Sequence, residues 1–190
     1  MKRVTCAEFP SHRSTTTALC DNGLDLASFD ENHLGVSAMD VGDFVIPPGQ
    51  GAVWQMAPGR SAALKITSEM TQSVMMFEEV APTDTVTDLH VHHDSDEIAY
   101  VLSGEITFKI GDETTVGGPG TCAFMPRGLA HAWKNTGAEP GRVLFLYAPG
   151  RAGKFFEEAV EMGRPFSVDD PHIAEASKRH GWEIVGPPPF

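Results

Sequence analysis

Three histidines and one glutamate carry the chemistry most readily read from this chain. Residues 90–104 read H-V-H-H-D-S-D-E-I-A-Y-V-L-S-G, and residues 120–135 read G-T-C-A-F-M-P-R-G-L-A-H-A-W-K-N. His90, His92, Glu97 and His131 offer three imidazoles and a carboxylate, a donor set that suits a divalent transition metal. Calcium and magnesium prefer shells built from oxygen alone. A closed structural zinc site more often uses cysteine, and none of Cys6, Cys20 and Cys122 falls at a ligand position. Four protein ligands around an octahedral ion leave about two positions for water, dioxygen or a chelating substrate.

The spacing says what must position these side chains. His90 and His92 are two apart, so on a strand they share a face and His93 points away. Asp94-Ser95-Asp96 forms a short acidic turn that can return Glu97 beside them. His131 opens a further strand after the turn Pro126-Arg127-Gly128. Short apolar runs punctuated by turn residues surround both segments: residues 53–56, 62–67, 73–80, 98–102, 106–110, 121–125, 132–135 and 142–147. Gly104, Gly111, the G-G-P-G from Gly117 and the N-T-G-A-E-P-G from Asn135 mark the connections. Many short strands at close spacing indicate an antiparallel sandwich or barrel.

The two segments resemble cupin motifs 1 and 2. The match rests on His90, His92, Glu97 and Gly104 in the first and on Gly120, Pro126, Gly128, His131 and Asn135 in the second. The glycine that usually opens motif 1, six residues before the first histidine, is Asp84 here. The stretch between the motifs, Glu105 to Pro119, is short, as in compact single-domain cupins. The resemblance implies an all-β jelly-roll barrel with one divalent metal (Fe, Mn, Ni, Cu, Co or Zn) held inside by His90, His92, Glu97 and His131. It also implies a homodimer. The group it most resembles is the quercetin-dioxygenase-like single-domain cupins.

Three regions follow. Residues 1–40 are an N-terminal arm, 41–149 the barrel, and 150–190 a helical extension. In the extension, the segment from Gly153 reads as a helix ended by Gly163 and Pro165. A second helix is capped by Asp169 or Asp170, with Pro171 in its first turn and Gly181 at its end. Residues 182–190 form a terminal strand or tail. Alternation places Ala99, Val101 and Trp133 on the ligand face, and it adds Met75, Phe77, Phe124 or Met125, Phe145 and Tyr147 as further lining. Met75, Phe77, Val101, Phe124, Trp133 and Phe145 are the expected substrate pocket, largely apolar and aromatic. Cys122, in an apolar run, is expected in the core. Arg127 is a candidate for reaching an anionic substrate at the barrel mouth.

The 190 residues carry 26 acidic against 14 basic side chains, a formal charge of −12. That argues against a nucleic-acid or anionic-membrane surface. No apolar run is long enough to span a bilayer, and no secretory leader is visible, so a cytoplasmic location is expected. No nucleophile elbow, P-loop or dinucleotide fingerprint occurs. The leading expectation is a metal-dependent dioxygenase for a small aromatic or enolic substrate, with Glu97 as ligand and catalytic base. The alternatives are a non-oxidative isomerase, lyase or decarboxylase, and a non-catalytic small-molecule-binding cupin.

Overall fold

The computed structural model describes residues 45–190; the N-terminal arm, with Cys6, Cys20, His12 and His33, lies outside the described residues. Ten strands form, eight on the apolar runs and two, β4 and β7, outside them: β1 Val53–Ala57, β2 Arg60–Ile66, β3 Met75–Ala81, β4 Leu89–His92, β5 Asp96–Ser103, β6 Ile106–Ile110, β7 Glu113–Gly117, β8 Cys122–Met125, β9 His131–Asn135 and β10 Gly141–Ala148. Two helices follow, α1 Lys154–Met162 and α2 Pro171–Arg179, then a last strand, β11 Trp182–Gly186. The strands pair antiparallel in two sheets, ordered β1-β2-β3-β10-β5-β8 and β11-β4-β9-β6-β7. This is the expected jelly roll: two sheets facing each other across a shared apolar interior.

Period-two burial sets each strand's inner face. In β3 the inward set is Met75, Phe77, Glu79 and Ala81, an apolar row with one carboxylate in it. In β10, Val143, Phe145 and Tyr147 turn inward.

Two backbone positions explain local sequence choices. Gly104 joins β5 to β6 at φ +86°, and a Cβ there would sit 2.7 Å from Gly141 Cα, so only glycine fits. Asp84, standing where motif 1 has glycine, keeps the left-handed conformation at φ 62°. Aspartate is among the few non-glycine residues that tolerate it, so the departure in sequence leaves the turn's backbone in place.

The C-terminal segment supplies the two expected helices and also returns a strand to the barrel. α1 buries Phe155, Phe156 and Ala159 and ends at Gly163 in the left-handed conformation. α2 starts at Pro171, with the Asp170 side chain accepting from His172 N at 2.9 Å. Gly153, just before α1, lets the helix meet β3, since a Cβ there would lie 2.3 Å from Met75 Cγ. Trp54 packs edge-on against Phe155, Phe156 and Phe166. β11 pairs with β4, Trp182 opposite His92 and Ile184 opposite His90.

β8 corrects two expectations. It is an edge strand whose buried positions are Ala123 and Met125, while Cys122 and Phe124 are exposed. Alternation leaves Phe124 or Met125 as the inward residue, and the structure turns Ala123 and Met125 inward, which puts Cys122 and Phe124 on the outer face.

Candidate metal centre

His90 and His92 sit on β4, Glu97 on β5 and His131 on β9. The β4–β9 register sets His90 opposite His131. All four side chains are buried, and one ligand atom from each falls within 4.8 Å of every other. His93 turns outward, as alternation requires, and its Nε2 meets the Glu183 carboxylate at 2.7 Å on the surface.

Backbone carbonyls orient two of the rings. His90 Nδ1–H donates to Asp88 O at 2.7 Å and His131 Nδ1–H to Leu129 O at 2.8 Å. With the proton on Nδ1, the lone pair of each Nε2 is available for a metal. Glu97 Oε2 lies 2.7 Å from His92 Nε2 and 3.1 Å from His131 Nε2. Among the described residues, His92 Nδ1 is the single buried side-chain polar atom without a hydrogen-bond partner. What fits a cation is the convergence of three imidazoles and a carboxylate, donors that suit a divalent transition metal. The donor set could therefore hold a metal ion.

The electrostatics agree. Burial, helped by the neighbouring His92 and His131, pulls His90 down to about 3, so its ring is neutral at physiological pH. Burial likewise lowers His92. For Glu97 burial pushes upward, but hydrogen bonds from His131 and His92 and their charge outweigh it and hold the carboxyl below its ordinary range. Burial opposes a charge on His131 too, yet the hydrogen bond and charge of Glu97 win and raise it. The cluster thus keeps a carboxylate ready beside two imidazoles whose charged form burial disfavours, while Glu97 draws His131 toward its charged form.

A cavity reaches this cluster at His90 and Glu97. It holds about 630 Å³ of space between atoms, part of it open to solvent. Phe77, Trp133 and Phe145 are on its wall, as expected. Met75 and Val101 are buried in the barrel but do not reach the cavity, Met75 being taken up by contact with Gly153. Phe124 is 55% exposed and on the outer face; its neighbour Met125 is fully buried, in register with Glu97. Arg127 is already engaged: Nε and Nη2 fork onto the two oxygens of Asp96 at 3.0 and 2.9 Å, and this pair, with the Arg127 backbone N–H, lowers Asp96 to about 2.

Sequence reasoning missed part of the wall. Trp182, from β11, stacks on His90 with ring centroids 5.2 Å apart and planes 6° apart, and stands edge-on to His92 at 4.1 Å. Its Nε1–H donates to Ala152 O at 3.0 Å. Phe155 and Phe156 from α1 also line the cavity, as do Arg60 and Glu79. Arg60 Nε donates to Glu79 Oε1 at 2.7 Å, and its guanidinium lies 5.5 Å from the centre of the Trp133 ring. The one available signal was Glu79 itself, a charged residue at an inward position of a strand. Tyr147, opposite Glu97 in the β5–β10 pairing, is buried; that burial and the charges of Glu97 and Glu79 hold its hydroxyl protonated well above the ordinary range.

Comparison with known proteins bears on the same residues. The family model described as "Cupin domain" matches residues 76–147, which hold all four cluster residues. The chain is 32% identical over 95 residues to an uncharacterized protein of Streptomyces coelicolor, spanning 50% of this chain and 87% of that one. It is 32% identical over 93 residues to the tetracenomycin polyketide synthase protein TcmJ of Streptomyces glaucescens, covering 48% of this chain and 62% of TcmJ. Among solved structures, KdgF from Halomonas sp. superposes with a TM-score of 0.53 at 19% identity, over 58% of this chain and 97% of that one. With the jelly roll, the buried histidine–glutamate cluster and these matches together, the chain belongs to the cupin superfamily.

Proposed function

We propose that this protein is a metal-dependent cupin enzyme of dioxygenase type, acting on a small aromatic or enolic substrate. The observation that carries the reading is the buried set His90, His92, Glu97 and His131, of which His90 and Glu97 reach the wall of an aromatic cavity. A bound divalent transition metal would supply Lewis acidity and open positions for dioxygen and a chelating oxygen of the substrate.

The protein's own residues do the rest. Phe77, Phe145 and Trp133 present ring faces and edges against which a planar substrate packs. Glu97, ionised and within reach of two imidazoles, is the group placed to accept the proton of a substrate hydroxyl. Tyr147 stays protonated, with its hydroxyl directed at the Glu97 carboxylate. Trp182 covers His90 and keeps water from that side of the cluster.

The aromatic wall of the cavity suits a planar ring or an enol as the class of substrate. The similarity to a polyketide synthase protein agrees with this class, because polyketides are enolisable carbonyl compounds.

The test is oxygen uptake. Protein loaded in turn with Fe, Mn, Co, Ni and Cu is given a panel of catechols, flavonols and β-diketones in an oxygen electrode. Uptake that scales with bound metal supports the reading, and no uptake with any pair overturns it. Turnover that continues under argon would instead assign a non-oxidative isomerase, lyase or decarboxylase.

A further inference from the structure

The Arg60–Glu79 pair has no role in holding a metal, yet it lies on the wall of the same cavity. An ion pair in such a place needs a reason. Taking two charges out of water is costly, and apolar residues of similar size are often at least as stable there. Glu79 is 2% exposed and Arg60 is largely buried. Their one hydrogen bond is Nε to Oε1. Among the described residues, neither Arg60 Nη atom nor Glu79 Oε2 has a hydrogen-bond partner. A guanidinium carries five N–H donors, so four of them are left over.

The placement is specific. Arg60 shares the inner face of β2 with Ala62 and Leu64, and Ala62 pairs with Glu79. Its guanidinium lies against Trp133, two residues along β9 from His131, which is about 7 Å on a strand. The order along the cavity is therefore metal-ligand cluster, indole face, guanidinium. Glu79 fixes the guanidinium through Nε and leaves the Nη edge for a planar, two-oxygen partner.

We propose that Arg60, positioned by Glu79 and Trp133, binds a carboxylate of the substrate, so that the substrate is a small planar acid spanning the distance from Arg60 to the metal-ligand cluster. This rests on the functional reading above and narrows it from aromatic or enolic compounds to their carboxylic acids. Arg60 is then the residue that sets specificity, and Glu79 acts through it.

The experiment is calorimetric titration with 2-hydroxybenzoate, and with 2-hydroxybenzamide as the neutral analogue. It is run on wild type, Arg60→Gln, Arg60→Lys and the double variant Arg60→Met/Glu79→Leu, each with and without bound metal. The double variant removes both charges together and leaves no buried ion unpaired, so it stays folded where Arg60→Gln fails. Wild type should bind the acid at least tenfold more tightly than the amide. Arg60→Gln and the double variant should lose that preference, and Arg60→Lys should keep only part of it because it lacks the fork. Metal content of the Arg60 variants should be unchanged. No binding of the acid by wild type, or equal acid and amide affinity, overturns the proposal, as does undiminished acid preference in the double variant. Preference retained by metal-free protein separates the two readings, since it survives even if the metal-dependent reaction does not.

Discussion

Trp182 should hold the C-terminal segment onto the barrel, and replacing it tests that in two steps. Its ring meets His90 at 5.2 Å, His92 at 4.1 Å, Phe155 at 5.0 Å and Phe156 at 5.7 Å, and its Nε1–H bonds Ala152 O at 3.0 Å. Trp182→Phe keeps most of the packing and loses the hydrogen bond, leaving the Ala152 carbonyl without that donor. The cost should be about 1–2 kcal/mol. Trp182→Ala also empties the space beside His90. Full burial would put that loss at about 3–5 kcal/mol, and because the residue is only partly buried we expect about 2–4 kcal/mol. Urea denaturation followed by circular dichroism gives both values. Both variants keep all four ligand side chains, so metal stoichiometry should not change, while release of metal to a chelator should be faster in Trp182→Ala. A loss below about 1 kcal/mol for Trp182→Ala would refute the argument, because β11 and its tryptophan would then not be part of the barrel wall.

Other consequences are open to measurement. Met125→Ala should cost about 2–4 kcal/mol, whereas Phe124→Ala should stay within about 0.5 kcal/mol; equal effects in a denaturant titration would mean the register of β8 is wrong. Asn135→Leu should destabilise by about 2–4 kcal/mol, because its buried amide donates to Ala81 O, Pro82 O and Glu139 O and accepts from Gly137 N. Thermal unfolding of that variant checks it, and an unchanged midpoint would contradict it. Metal-stripped protein should be most stable near neutral pH. Below about 6.5, unfolding lets His90 and His92, lowered by burial, take up protons they lack when folded, and for His90 this costs roughly 1.4 kcal/mol per pH unit. His131, raised when folded, contributes fully below its unfolded value and loses that contribution as pH climbs through its folded value. Stability curves from pH 4 to 9 on chelator-treated protein would show the maximum; a monotonic profile would contradict it.

The four ligand positions were legible because the spacing and the strand period say which side chains converge. Two-residue separation put His90 and His92 together and turned His93 away, and the structure has both. The helices after Pro149 were legible from their caps, since Asp170, Pro171 and Gly163 act at single positions. What could not be read was partnership at a distance. Trp182 reaches the cluster because β11 pairs with β4, some 90 residues earlier in the chain, and no local pattern encodes that pairing. Arg60 and Glu79 meet across neighbouring strands for the same reason. Phe124 and Cys122 were misplaced because a four-residue apolar run does not reveal which of its two faces turns inward. Asp84 shows the converse: a missing glycine whose backbone conformation persists.

The central claim is that His90, His92, Glu97 and His131 together hold one metal ion. The direct measurement is elemental analysis of purified protein after equilibration with divalent transition metals and removal of the excess, alongside His92→Ala, Glu97→Gln and His93→Ala. One ion per chain is predicted for wild type and for His93→Ala, with large losses in the other two. A wild type that retains no metal, or a His93→Ala variant that loses it while His92→Ala keeps it, would contradict the account.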